Sequence, residues 1–148
     1  MVTETADHRT ITKLPWHAWV ISIVVIALQI GGIWDYLQLL EPNVDYVESK
    51  GWGSAGVEYF TDYPLPLRIL WTLTLLAGTV APVLLLVRSR FAGVSALTAA
   101  LAQALLMAIT LGFMGRFGAL GGFTAAWDAG IIAAYVAFWL YCRQIVRR

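Results

Sequence analysis

Histidine, cysteine and charge are all scarce in this chain. Its two histidines, His8 and His17, lie in or beside the N-terminal tail, so no pair of imidazoles inside a membrane can hold a haem. No His, Cys, Asp and Glu residues have metal-ligand spacing, and neither a metal nor a cofactor is expected. Cys142 is the only cysteine, which excludes an internal disulfide. It reads as packing filler, with reversible lipidation or oxidation as the alternative. The serines and this cysteine have no base in a recognisable arrangement, so neither a hydrolase nor any other autonomous enzyme is expected. Charged residues are 13% of the 148 and nearly balanced at a net +1, which argues against a nucleic-acid surface.

What the chain does have is apolar length. Hydrophobic residues make up 59% of it, gathered at residues 16–40, 65–87, 91–114 and 127–145. Each run approaches or exceeds the ~20 residues that cross a bilayer. The expectation is an all-α, four-helix transmembrane bundle, a single integral membrane domain over residues 1–148, with the lipid bilayer as its first partner. The longest intervening stretch, residues 41–64, is too short for a soluble domain. Arg9 and Lys13 before the first run imitate a signal peptide, but its length and the lack of an A-x-A-like site before Glu41 predict a retained helix.

Basic residues choose the side. Arg9, Lys13, Arg88, Arg90, Arg143, Arg147 and Arg148 fall on one face, leaving Lys50, Arg68 and Arg116 for the other. Both termini are therefore predicted to be cytoplasmic and the loop 41–64 non-cytoplasmic. Compactness points to a bacterial inner membrane. Pro64 and Pro66 sit where a first turn accepts proline, and Pro82 is predicted to bend the second helix, either as a tolerated membrane proline or as a gating hinge.

The third helix has Ala92, Ala96, Ala100, Ala104 and Ala108 at four-residue spacing, followed by Gly112; the fourth has Ala125, Ala129, Ala133 and Ala137. Such ridges let backbones approach closely, and the two helices are expected to pair through them. Either ridge could instead face another copy, so a homodimer or a larger membrane complex stays open as a partner. Between the ridges, glycines at 112, 115, 118, 121 and 122 favour a turn or a re-entrant stretch over regular helix.

Asp35, Arg68, Arg116 and Asp128 lie within or at the edges of the runs, all toward the non-cytoplasmic side. Pairing Asp35 with Arg68 and Arg116 with Asp128 would spare each the insertion cost of up to ~2.5–3.5 kcal/mol. The set is either structural, fixing helix ends, or the floor of a polar pocket walled by Trp34, Tyr36, Tyr63 and Trp127. Trp-Asp occurs twice, at Trp34-Asp35 and Trp127-Asp128, each after a Gly-Gly pair. Gln29 and Gln103 lie near the midplane and need partners; they are expected to bond to each other, or to present amides to a ligand. No acid occupies the middle of the first helix, where a proton-coupled exporter of the small multidrug resistance type requires one. The loop is rich in acids and aromatics, with residues 57–63 as a short interfacial helix, capping the bundle or acting as a lid.

Gly32-Ile-Trp-Asp35-Tyr36-Leu, Tyr59-Phe60, Tyr63-Pro64, and the stretch from Trp71 and Gly78 to Leu84-Leu-Leu-Val-Arg88 resemble a family of short four-helix bacterial membrane proteins without an established activity. Some members carry sugar-transporter labels. The likeness covers about the first two-thirds of the chain, and Gln29 stands where the family pattern has an asparagine. The four-helix outline is also distantly similar to DoxX-like proteins. The resemblance implies a membrane protein and leaves three readings: a small-solute transporter component or periplasm-facing solute binder, an accessory or scaffold protein, and a quinone-linked redox subunit.

Overall fold

The computed structural model describes residues 13–146, and among them the chain is helical throughout: α1 (Trp16–Leu40), α2 (Val44–Ser49), α3 (Gly53–Thr61), α4 (Leu65–Leu86), α5 (Ala92–Phe113) and α6 (Arg116–Val146). α1, α4, α5 and α6 are each long and apolar enough to cross a membrane, so this is a helical membrane protein. Proline sets two of the starts. Pro15 precedes α1 and its carbonyl accepts the Ala18 amide at 2.9 Å, while Pro64 caps α4 in an extended conformation. Between α4 and α5, Arg88 adopts φ 59°, and the amides of Arg88 and Ser89 return to the carbonyls of Leu85 and Leu84 at 2.9 and 2.8 Å, closing the helix end.

α6 begins at Arg116, ahead of residue 127, and the glycine-rich segment is mostly helical; the 2.9 Å bond between Arg116 and Asp128, twelve residues apart, requires the piece before Gly121 to fold back beside the longer piece after it. The chain turns at Gly115 (φ 62°) and α6 is interrupted once, at Gly121 (φ 81°, ψ 169°). Glycine costs a helix ~1 kcal/mol per residue. An unsatisfied backbone group in hydrocarbon costs several, so helix wins wherever the segment meets lipid. The loop between α1 and α4 holds two short helices, α2 and α3, where one over residues 57–63 was predicted. Phe60 and Tyr63 are buried against Leu39, Leu67, Leu106 and Leu120, which docks the loop onto that end of the bundle.

α1 lies on α4, α4 on α5 and α5 on α6. This order gathers Lys13, Arg88, Arg90 and Arg143 at the end of the bundle that carries the termini; Arg9, Arg147 and Arg148 lie outside the described residues. The alanine ridges do not face each other. On α5, Ala92, Ala96 and Ala100 are buried, Ala104 is half-buried, and Ala108 and Gly112 are exposed. A four-residue step advances about 40° beyond a full turn of a 3.6-residue helix, so the ridge winds out of the contact. On α6, Ala125 is half-buried and Ala129, Ala133 and Ala137 are exposed. Tyr135, Phe138 and Cys142 point inward instead, packing on Ala77, Ala99 and Ala100 and on Ala92 and Ala96. Large side chains of one helix fill the groove left by small ones of the other.

Candidate functional site

Because α1 packs on α4 and α6 on α5, a gap remains between α1 and α6, and side chains bridge it at three levels. At the terminal end His17 Nδ1 meets the Tyr141 hydroxyl. Midway, Gln29 Nε2 donates to the Tyr135 hydroxyl at 2.6 Å. At the loop end α2 and α3 span the gap: the Tyr46 hydroxyl donates to Asp35 of α1, Lys50 Nζ lies 3.3 Å from the same carboxylate, and Trp52 Nε1 donates to Thr124 of α6 at 3.0 Å. Below this lid is a cavity of about 750 Å³, within the range of small-molecule sites. Trp34 and Asp35 line it from α1, Trp71 and Thr74 from α4, Gln103 from α5, and Phe123, Trp127 and Asp128 from α6.

The two Trp-Asp dipeptides thus meet across one cavity. Neither carboxylate is bare. Asp35 is tied to Lys50 and Tyr46, and Asp128 accepts from Arg116 Nε at 2.9 Å. The Arg116–Asp128 pair is buried, at 11% and 8% side-chain exposure, whereas Lys50 and Asp35 are more than a third exposed and contribute at most ~1 kcal/mol.

The expected Asp35–Arg68 pair does not form. Arg68 donates to the Leu40 carbonyl at 2.7 Å and the Tyr63 carbonyl at 3.3 Å, at the C-terminal end of α1, where unsatisfied carbonyls and the helix dipole favour a cation. Asp35, five residues earlier, faces about 140° away around the helix and meets Lys50 instead. Tyr36 and Tyr63 do not wall the cavity either. The Tyr36 hydroxyl hydrogen-bonds Thr72 at 2.8 Å with its ring edge-on to Trp71, and Tyr63 is buried among Tyr59, Phe60 and Trp71.

Gln29 and Gln103 share the cavity, but Gln29 bonds to Tyr135. α4 separates the helices that carry the two amides, and a phenol reaching from α6 closes the distance. Gly78 of α4 leaves room for this contact: a Cβ there would lie 2.4 Å from Gln29 Nε2 and 2.7 Å from the Tyr135 hydroxyl. The Gln29 carbonyl oxygen is buried without a partner, in a residue only 4% exposed. Turning the amide over does not change the balance. In either orientation the pair satisfies one donor with one acceptor and leaves at least one of each, which matches a hydroxyl group.

Sequence reasoning missed Tyr135, and a signal for it existed. Tyr36, Tyr63 and Tyr141 fall near span ends as interfacial anchors do, but Tyr135 lies mid-span, where a phenol needs a partner. Lys50 and Trp52 carry no comparable signal, because only the folded loop brings them over the gap.

The lid has a pH limit. Burial opposes the Lys50 ammonium, but the Tyr46 hydroxyl and the Asp35 carboxylate outweigh it and raise its pKa; burial, then the bond to Asp35, raise that of Tyr46. Both shifts favour the protonated folded form, so their stabilisation is present below the ordinary values of 10.5 and 10.0 and lost as pH rises through the folded ones. The lid should stay shut across neutral pH and loosen above pH 10.5. The fluorescence difference between wild type and Trp52→Phe, followed against pH, reads this directly, and a flat difference through that range would contradict it.

No protein-family model, curated protein or solved structure matches the chain. What fold and site define is a class: a four-span helical membrane protein with an aromatic, lidded cavity between its first and last spans.

Proposed function

We propose that this chain binds an uncharged, hydroxyl-bearing small solute in the α1–α6 cavity, as a component of a transport or solute-capture system in a bacterial inner membrane. In this reading the termini are cytoplasmic and the lid faces the periplasm. The observation that carries the proposal is the Gln29–Tyr135 pair, buried at mid-depth with hydrogen-bonding capacity left over. Both carboxylates at the cavity are already matched by cations, so a charged ligand would find no counter-charge to spare. Trp34, Trp52, Trp71 and Trp127 line the cavity and supply apolar surface for the C–H groups of such a solute.

A thermal-shift panel on the detergent-solubilised protein tests this, because a ligand that binds only the folded state raises apparent stability. Polyols and monosaccharides should raise the melting temperature, and the shift should vanish in Gln29→Leu and in Tyr135→Phe while organic acids and cations do nothing. A shift with quinones alone would favour the quinone-linked reading. A shift that survives both substitutions would remove the site from this cavity, and none across the panel would favour the accessory reading.

A further inference from the structure

A second groove lies between α5 and α6 at the terminal end, with a volume of about 400 Å³. Its walls are Val94, Leu97 and Leu101 of α5 and Trp139 of α6, and Val94 and Leu101 are 63% and 61% exposed. Gly93 keeps its floor open: a Cβ there would still lie 4.0 Å from Cys142 Cβ and Arg143 Cγ. Two guanidinium groups stand at its mouth. Arg143 lies over the Trp139 ring and Arg90 over the Phe91 ring, each 5.0 Å from the centroid, and both side chains are exposed.

Neither arginine has an acidic partner among the described residues. Asp35, Glu41, Asp45, Glu48, Glu58 and Asp62 all lie on the last turns of α1 or in the loop beyond it, and Asp128 is paired with Arg116. From Gly93 to Leu101 the groove follows eight residue steps, about 12 Å of helix. That approaches the ~15 Å of hydrocarbon in one leaflet. A positive mouth at the membrane surface above an apolar trough of leaflet depth fits one molecule with an anionic head and acyl tails.

We propose that the α5–α6 groove binds an anionic phospholipid, with Arg90 and Arg143 on the headgroup phosphate and an acyl chain along Val94, Leu97 and Leu101. Free phosphate would leave the trough empty, and a zwitterionic lipid would bring its own cation against the arginines. The lipid site shares no lining residue with the solute cavity.

The test titrates the purified protein in neutral detergent with phosphatidylglycerol, with phosphatidylcholine of the same chains, and with glycerol phosphate, following melting temperature and bound lipid by native mass spectrometry. Phosphatidylglycerol should stabilise and be retained in preference to phosphatidylcholine. In R90Q/R143Q that preference should fall by about thirtyfold, from the ~1 kcal/mol each basic residue contributes near an anionic surface. If the double variant is itself poorly folded, quenching by phosphatidylglycerol brominated on its acyl chains decides the matter in otherwise native protein. The quenching should drop in Trp139→Phe by the share of that one ring. Equal retention of both lipids, an unchanged preference in R90Q/R143Q, or full stabilisation by glycerol phosphate would each overturn the proposal.

Discussion

Gly78→Ala is expected to destabilise the detergent-solubilised protein and to abolish solute binding in the α1–α6 cavity. Helix propensity alone predicts the opposite sign, since alanine is better than glycine in a helix by ~1 kcal/mol. The new Cβ would lie 2.4 Å from Gln29 Nε2 and 2.9 Å from Gln29 Cδ, so the amide must swing away. That movement breaks the 2.6 Å bond to Tyr135 and leaves buried polar groups unpaired on both sides of the cavity. Each such group costs ~1–3 kcal/mol, enough to outweigh the gain in propensity. The control is a double-mutant cycle: in a Gln29→Ala background the amide is gone, only the Tyr135 hydroxyl at 2.7 Å is left for the new Cβ to displace, and Gly78→Ala should cost clearly less than in the wild type. Equal costs in both backgrounds, read as melting temperatures, would mean that Gly78 has no role in seating the pair.

Arg116→Met should be the most destabilising single substitution at the cavity. Its guanidinium is bonded at 2.9 Å to Asp128, and both side chains are buried. Removing the cation strands a carboxylate away from water, a defect that typically costs 3–5 kcal/mol, roughly. Asp128→Leu alone strands the guanidinium and should be similarly severe, whereas Arg116→Met with Asp128→Leu removes both charges and should recover most of the loss. Unfolding in a denaturing detergent titration reads all three. Lys50→Met, at the half-exposed pair, should cost at most ~1 kcal/mol by the same assay. If the Lys50 and Arg116 variants behaved alike, burial would not be what separates the two pairs.

The parts of the site that could be read in advance are those that follow from a residue's own surroundings. Gln29, Gln103, Asp35 and Asp128 stood out because a polar group in an apolar run must find a partner, and all four line the cavity. Arg116 with Asp128 was legible as a pair because twelve residues and a turn bring them together. Asp35 with Arg68 was not, because the choice depended on where a loop of two short helices carried Lys50. The alanine ridges misled for a geometric reason. Four-residue spacing is visible in sequence, but the face it presents depends on how each helix is rotated, and on α6 the ridge from Ala129 to Ala137 turns outward while Tyr135 and Phe138 turn in.

Sequence alone determined the number and order of the long apolar helices. Crossing hydrocarbon needs about twenty apolar residues whose backbone bonds are satisfied locally, and that requirement can be read one segment at a time. Tertiary structure decided which faces meet: that α1 and α6 stand apart around a cavity, that Tyr135 and not Gln103 takes the Gln29 amide, and that Lys50 and Trp52 close the lid. These contacts join residues 15 to 106 positions apart in the chain. Their selection rests on helix rotation and packing across the whole bundle, which no local pattern encodes.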